Sequence, residues 1–196
     1  MNKSNITVEL RPDTLQSTYT DLSITNLTID VLKFNDGSIR VVLPEMTQEL
    51  EHRYCVITAF VENMDDIIII TQIKDIIERL SKAPKMFTLA LTSTSYTRYD
   101  RVMFENKTDS FGAKVFADIV NGLNFDFVHL FDCHSEVMID LINKAVNIDQ
   151  SKLLEDTLYR YSDFVGDYNL IAPDKGATKK LTEPNMIFDK VRNVET

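Results

Sequence analysis

Three short apolar runs, residues 54–60 (YCVITAF), 86–91 (MFTLAL) and 127–131 (FVHLF), constrain the fold of this chain more than any other feature. Each is too short for a helix and has the length of a buried strand. Helical patterns lie between them. Residues 65–80 (DDIIIITQIKDIIERL) place Ile69, Ile73, Ile76, Ile77 and Leu80 on one stripe, with acids at the positive N-terminal end. A second helix is expected over residues 113–123, with Ser110 as its cap and Gly122 and Asn124 helping to end it. Strands alternating with helices imply an α/β fold whose largely parallel sheet is flanked by helices on both faces. Ligands bind outside the carboxyl ends of such strands. The residues following each run are therefore where chemistry is expected.

The remaining segments give weaker signals. Residues 22–34 alternate apolar and polar, with Ile24, Leu27, Ile29, Val31 and Leu32 as candidates for an inner face. Asn35-Asp36-Gly37 then turns the chain into residues 38–43, which gives an N-terminal β-hairpin. Helices are expected at about 136–144 and 151–161, the second opened by an imperfect capping box at Ser151 and Glu155. Strands at 168–172 and 186–188, with a short helix at 178–181, complete the chain. The polar stretch 147–150 marks a boundary between a first domain, residues 1–148, and an incomplete second one, residues 149–196.

Composition excludes more than it suggests. The 196 residues suffice for one well-buried domain and part of another. A net charge of −9 argues against nonspecific nucleic-acid binding, which needs a basic face. The two cysteines and three histidines lack zinc-ligand spacing, so Cys55 and Cys133 are expected to be buried thiols. No apolar run approaches the ~20 residues of a membrane span, and no signal pattern opens the chain. The expected location is cytoplasmic, with no membrane or nucleic-acid partner.

Two polar clusters follow the apolar runs. Asp132 and His134 end the strand 127–131, placing an acid and an imidazole at its C-terminal edge. The plain alternative is that Asp132 caps the next helix and His134 packs in a loop. Tyr96-Thr97-Arg98-Tyr99-Asp100-Arg101 follows the strand 86–91 and offers two guanidiniums and two aromatic rings. Arginine's planar fork suits phosphate oxygens and stacks on aromatic faces, although many such loops are simply solvated. Two clusters at one sheet edge favour a nucleotide site.

Together these residues resemble the ribose-phosphate pyrophosphokinases (PRPP synthetases), which move pyrophosphate from Mg-ATP to ribose 5-phosphate. Tyr96–Arg101 is similar to the family's ATP-binding tyrosine-x-arginine-x-aspartate-basic run. Asp132-Cys133-His134-Ser135 is similar to its aspartate-leucine-histidine-alanine motif, which carries the catalytic histidine and a metal-site acid. Phe34-Asn35-Asp36-Gly37-Ser38 resembles a turn that reaches the adenine on a neighbouring subunit. Asp65-Asp66, Gly112–Asp118 and Ala172–Ala177 match further family segments in order. The resemblance implies a phosphoribosyltransferase-like fold. It also implies ATP contacts from Tyr96, Arg98, Tyr99, Arg101 and Asp36, and metal contacts from Asp132 and His134. Lys190 and Arg192 match a basic catalytic loop that closes over the phosphates. Mg²⁺ arriving with ATP and assembly into a homo-oligomer, a hexamer in the family, are further expectations. Simpler roles stand beside these: a hairpin turn for Asp36, sheet-edge cover for Tyr99, and solvent exposure for Lys190 and Arg192.

The chain departs from the family at several points. Asn143 and Asn147 stand where the family has acids, and Ser38 stands where it has a glutamate. No Asp-Asp with a Thr/Gly-rich sugar-phosphate loop follows Asp174. The family continues for roughly one more domain of ~100 residues. Three expectations follow: a truncated or split pyrophosphokinase, a non-catalytic subunit that regulates family oligomers, or a nucleotide-binding module of unrelated use. A phosphoribosyltransferase is a weaker fourth, needing the same absent loop.

Overall fold

In residues 6–11 (ITVELR) apolar and polar side chains alternate, and the chain makes strand β1, Ile6–Arg11, with Ile6, Val8 and Leu10 buried. The computed structural model describes residues 5–11, 25–46, 54–79, 86–93, 95–105, 108–161, 169–181 and 184–189. The chain divides into two units, Met1–Asn147 and Ile148–Thr196. No helix among the described residues is long and apolar enough to cross a membrane.

The run expected as one strand over residues 22–34 is two elements, and its first three residues lie outside the described set. Strand β2, Thr25–Leu27, pairs antiparallel with β1, whereas β3, Asp30–Lys33, forms a hairpin with β4, Ile39–Val42. Leu27 and Ile29 are buried, Val31 packs against the core, and Leu32, expected inside, is exposed. Leu32 alternates out because its hairpin forms a separate two-stranded sheet with one face packed.

The apolar runs become β5 (Tyr54–Phe60), β6 (Met86–Ser93) and β7 (Phe127–Phe131). They pair parallel, β5 with β6 and β6 with β7, while β1 pairs antiparallel with β5. Strand β8, Ala145–Ile148, ends a six-stranded sheet of order β2-β1-β5-β6-β7-β8. The expected parallel α/β centre is present, with an antiparallel edge contributed by β1 and β2.

Helix α1, Met64–Arg79, buries Ile67, Ile69, Ile70, Ile73 and Ile77 against this sheet's core and leaves Ile68 exposed. That is a helical stripe, the natural outcome for a run of isoleucines too long for one strand. Asp66 is fully buried and accepts the Glu62 and Asn63 N–H groups at 2.8 and 3.2 Å, fixing the turn from β5 into α1. Lys74 on the same helix is buried, its ammonium 5.1 Å from the Phe87 ring centroid and 5.7 Å from that of Phe125, and it pairs with Glu78. Burial pushes the Cys55 thiol up to about 12, with the charge of Lys74 opposing, so this cysteine is an inert core residue.

The hairpin is fastened to α1 through Gln72. Its Oε1 accepts the Val41 N–H at 3.0 Å and its Nε2 donates to the Ile39 carbonyl at 2.7 Å, so one side chain pairs with β4 as a neighbouring strand would. Lys33 adds an exposed ion pair to Asp65 at 2.6 Å, worth little by itself. Gln72→Ala is expected to cost about 1–2 kcal/mol in urea unfolding and to speed amide exchange at Val41. Unchanged exchange at Val41 would show that the hairpin docks without it.

Helix α2, Gly112–Gly122, does not use the expected Ser110 cap. Its N-cap residue is Phe111, without a side-chain bond, and the Ala113 N–H instead donates 3.0 Å to the Tyr99 carbonyl. A loop from elsewhere in the fold replaces the local cap. Helix α3, Glu136–Leu141, is shorter than expected because the Asn121 side chain takes the Leu141 carbonyl (2.9 Å) and the Asn143 N–H (2.7 Å). Those bonds divert the chain into β8.

In the second unit, α4 spans Gln150–Arg160, and its N-cap is Asp149 rather than the expected Ser151 box. Strands β9 (Ile171–Ala172) and β10 (Met186–Ile187) pair parallel, with a 3₁₀ turn at Ala177–Lys180.

Candidate nucleotide site

Parallel strands β6 and β7 end side by side, and each releases its chain into a polar loop at the same edge of the sheet. An open cleft of about 390 Å³ lies there. The β6 side supplies Thr92, Ser93, Thr97 and Arg98, and the β7 side supplies Phe131, Asp132, Cys133 and His134. The sequence clusters singled out above therefore meet in one place. Arg98 and His134 are exposed at this cleft, and Asp132 is half-buried.

Both loops are held in uncommon conformations. Tyr96 has φ +63° and Asp132 has φ +48°, in the left-handed region. Aspartate tolerates it moderately; for a bulky tyrosine it is a genuine outlier that the surroundings must enforce. For Tyr96 the enforcement is visible. Its ring stacks on buried Phe116 with centroids 5.5 Å apart, and its carbonyl accepts the Tyr99 N–H at 3.0 Å. A Cβ built on Gly112 would stand 3.0 Å from the Tyr99 Cβ, so glycine at the start of α2 lets the loop lie against the helix.

On the other side, Cys133 donates its N–H to Asn147 Oδ1 at 3.2 Å, and its Sγ donates to the Ser135 carbonyl at 3.4 Å. Ser135 caps α3, accepting the Val137 N–H at 3.3 Å. The capping role considered for Asp132 thus belongs to Ser135. The Ser135 hydroxyl also donates to Asp100 Oδ2 at 2.8 Å, tying the two loops together.

The other expected residues lie outside the cleft lining. Tyr96 is turned to Phe116, and Tyr99 is largely exposed, its ring 6.3 Å from that of Tyr96. Arg101 is exposed and 4.0 Å from Asp100. Asp36 sits in the β3–β4 turn, where Oδ1 accepts from the Ser38 hydroxyl (2.7 Å) and N–H (2.9 Å). The hydroxyl bond comes first in holding its carboxyl below the usual value of 3.8. Lys190 and Arg192 lie outside the described residues. Thr97, Asp100, Ser135 and Asn147 stand in the quoted motifs and departures, but the sequence assigned none of them an individual contact; for Asp100 and Ser135 the available signal was their nearness to Arg98 and His134.

Asp109 organises the loop beyond Arg101. Its carboxylate accepts the Met103 and Phe104 N–H groups at 2.7 and 3.2 Å, and the Met103 bond is the main cause of a pKa below 3.8. A lowered carboxyl supports structure above its unfolded value and loses it as pH falls through the folded one. The Met103 and Phe104 amide resonances should therefore titrate with a midpoint below 3.8. A midpoint at or above that value would mean the carboxylate does not hold this loop.

Neither a protein-family model nor a curated protein sequence matches the chain. A search of solved structures finds phosphoribosylpyrophosphate synthetase from Mycobacterium smegmatis, with a TM-score of 0.56 and 20% sequence identity. The match covers 85% of this chain and 57% of that one. Over most of its length this chain thus shares the fold of that structure, and it spans little more than half of it.

Proposed function

We propose that this chain is a ribose-phosphate pyrophosphokinase, transferring pyrophosphate from Mg-ATP to ribose 5-phosphate to give PRPP and AMP. The observation that carries the reading is the convergence of Arg98, Asp132 and His134 on one cleft at the carboxyl edge of parallel strands. The C1 hydroxyl oxygen of the sugar attacks the β-phosphorus. The bond from that phosphorus to the oxygen bridging to the α-phosphate breaks, AMP departs with the electron pair, and the hydroxyl proton is lost to solvent or base.

Such transfer depends on positioning and charge neutralisation. Arg98 grips the phosphate oxygens with its planar fork, and His134 donates to the transferring group. Among the described residues no three His, Cys, Asp or Glu side chains gather around a metal position. A single carboxylate, Asp132, suits Mg²⁺ that enters with the nucleotide, because this ion is bound by one or two carboxylates plus substrate phosphates. Tyr96, Tyr99 and Arg101 are assigned to the nucleotide, and Asp36 to the adenine on a neighbouring copy in a homo-oligomer. Lys190 and Arg192 are assigned to closing over the phosphates. The cytoplasm, where ATP is made available, is the proposed location.

The test is AMP formation from Mg-ATP with and without ribose 5-phosphate. AMP appearing only with the sugar phosphate supports the transfer. A folded chain that binds Mg-ATP but forms no AMP would instead be a non-catalytic, oligomer-forming relative.

A further inference from the structure

The bond between the two loops joins residues that do not line the cleft. Asp100 is not among the cleft's lining residues, and its side chain is 30% exposed. Ser135 is buried, and its hydroxyl donates its one proton to Asp100 Oδ2 while accepting from the Val137 N–H. The pair is 35 residues apart in sequence. Yet Asp100 follows Arg98 by two positions, and Ser135 directly follows His134.

Each loop also has its own anchor: Ala113 N–H on the Tyr99 carbonyl, and Asn147 Oδ1 on the Cys133 N–H. Those anchors fix each loop to its own surroundings, α2 for the first and β8 for the second. The Asp100–Ser135 bond fixes the loops to one another. A hydrogen bond to an ionised carboxylate is roughly twice as strong as a neutral one, and recessed partners are screened less by water.

Arg98 and His134 are exposed side chains on loops, and a ligand must otherwise bear the entropy of bringing two such loops to a fixed span. We propose that Asp100 and Ser135 form a positioning clasp that sets the span between Arg98 and His134, so that one polyphosphate engages both at once. This rests on the nucleotide reading of the cleft. Neither residue is a catalytic group; both act through their neighbours.

Asp100→Ala removes the clasp and leaves the Ser135 cap of α3 in place, whereas Asp100→Asn retains an acceptor oxygen. Amide exchange on the ligand-free chain comes first. Faster exchange in Asp100→Ala at residues 97–101 and 133–137, with Tm nearly unchanged, is expected; unaltered exchange there overturns the clasp.

Mg-ATP binding comes second. Asp100→Ala should weaken it about tenfold while orthophosphate affinity moves less than about twofold, and Asp100→Asn should recover most of the loss. In the Asp100→Ala background, Arg98→Ala should cost distinctly less than in the parent, because the two cleft groups no longer act together. Equal Mg-ATP affinity in parent and Asp100→Ala, or additive losses, overturns the inference. A parent chain that binds no Mg-ATP sinks the nucleotide reading and with it the clasp's role in polyphosphate binding; the exchange data then still decide whether the clasp orders the loops.

Discussion

Replacing His134 with alanine should slow AMP formation from Mg-ATP and ribose 5-phosphate by about a hundredfold or more, the usual loss when one positioned donor is taken from a developing charge. Stability should hardly change. The imidazole is exposed at the cleft, and the bonds that hold its loop come from the neighbours Cys133 and Ser135 rather than from the ring. His134→Gln, which keeps a donor in reach, should recover part of the rate. The measurement is initial rates at saturating Mg-ATP, with Tm recorded on the same preparations. A His134→Ala chain within threefold of the parent would remove the imidazole from the reacting phosphates and, with it, the main chemical role proposed for this loop.

Phe116→Ala should have the largest effect on stability, about 3–5 kcal/mol in urea unfolding, the range for truncating a core aromatic. Phe116 is 2% exposed in the main core and is the surface on which Tyr96 stacks. The loss should therefore reach the cleft, since Tyr96 at positive φ depends on its neighbours. Phe116→Leu separates the two effects: it keeps much of the volume but removes the stacked ring. It should cost clearly less stability than the alanine while still weakening Mg-ATP binding. Equal losses in stability for leucine and alanine would mean the ring's stacking, rather than its volume, holds this part of the core.

The legible elements were those whose signal is local. Strands β5, β6 and β7 are short apolar runs at sheet centre, and α1 carries its buried stripe in its own sequence. Strand β1 alternates as cleanly, with Ile6, Val8 and Leu10 inside, yet it was not among the expected strands; its local signal was present and went unread. Other features depend on distant partners. The α2 start is satisfied by the Tyr99 carbonyl, and α3 stops where Asn121 takes over its last carbonyl. Strand β8 is four residues with an asparagine inside, too short for periodicity to register. The site divides in the same way. Arg98, Asp132 and His134 are readable because strand ends announce them, whereas the Asp100–Ser135 bond spans two loops and only the fold brings it together.

The left-handed backbone at Asp132 sets stability and chemistry against each other. At φ +48° an aspartate is tolerated, but a glycine would adopt the same geometry without the steric cost imposed by a Cβ. Glycine would also delete the carboxylate from the cleft. Selection for heat resistance would thus weigh a relieved backbone at position 132 against the carboxylate's own interactions, whereas selection for turnover would keep the acid. Which residue dominates there after the two selections would measure how strongly function, rather than folding, has set this turn.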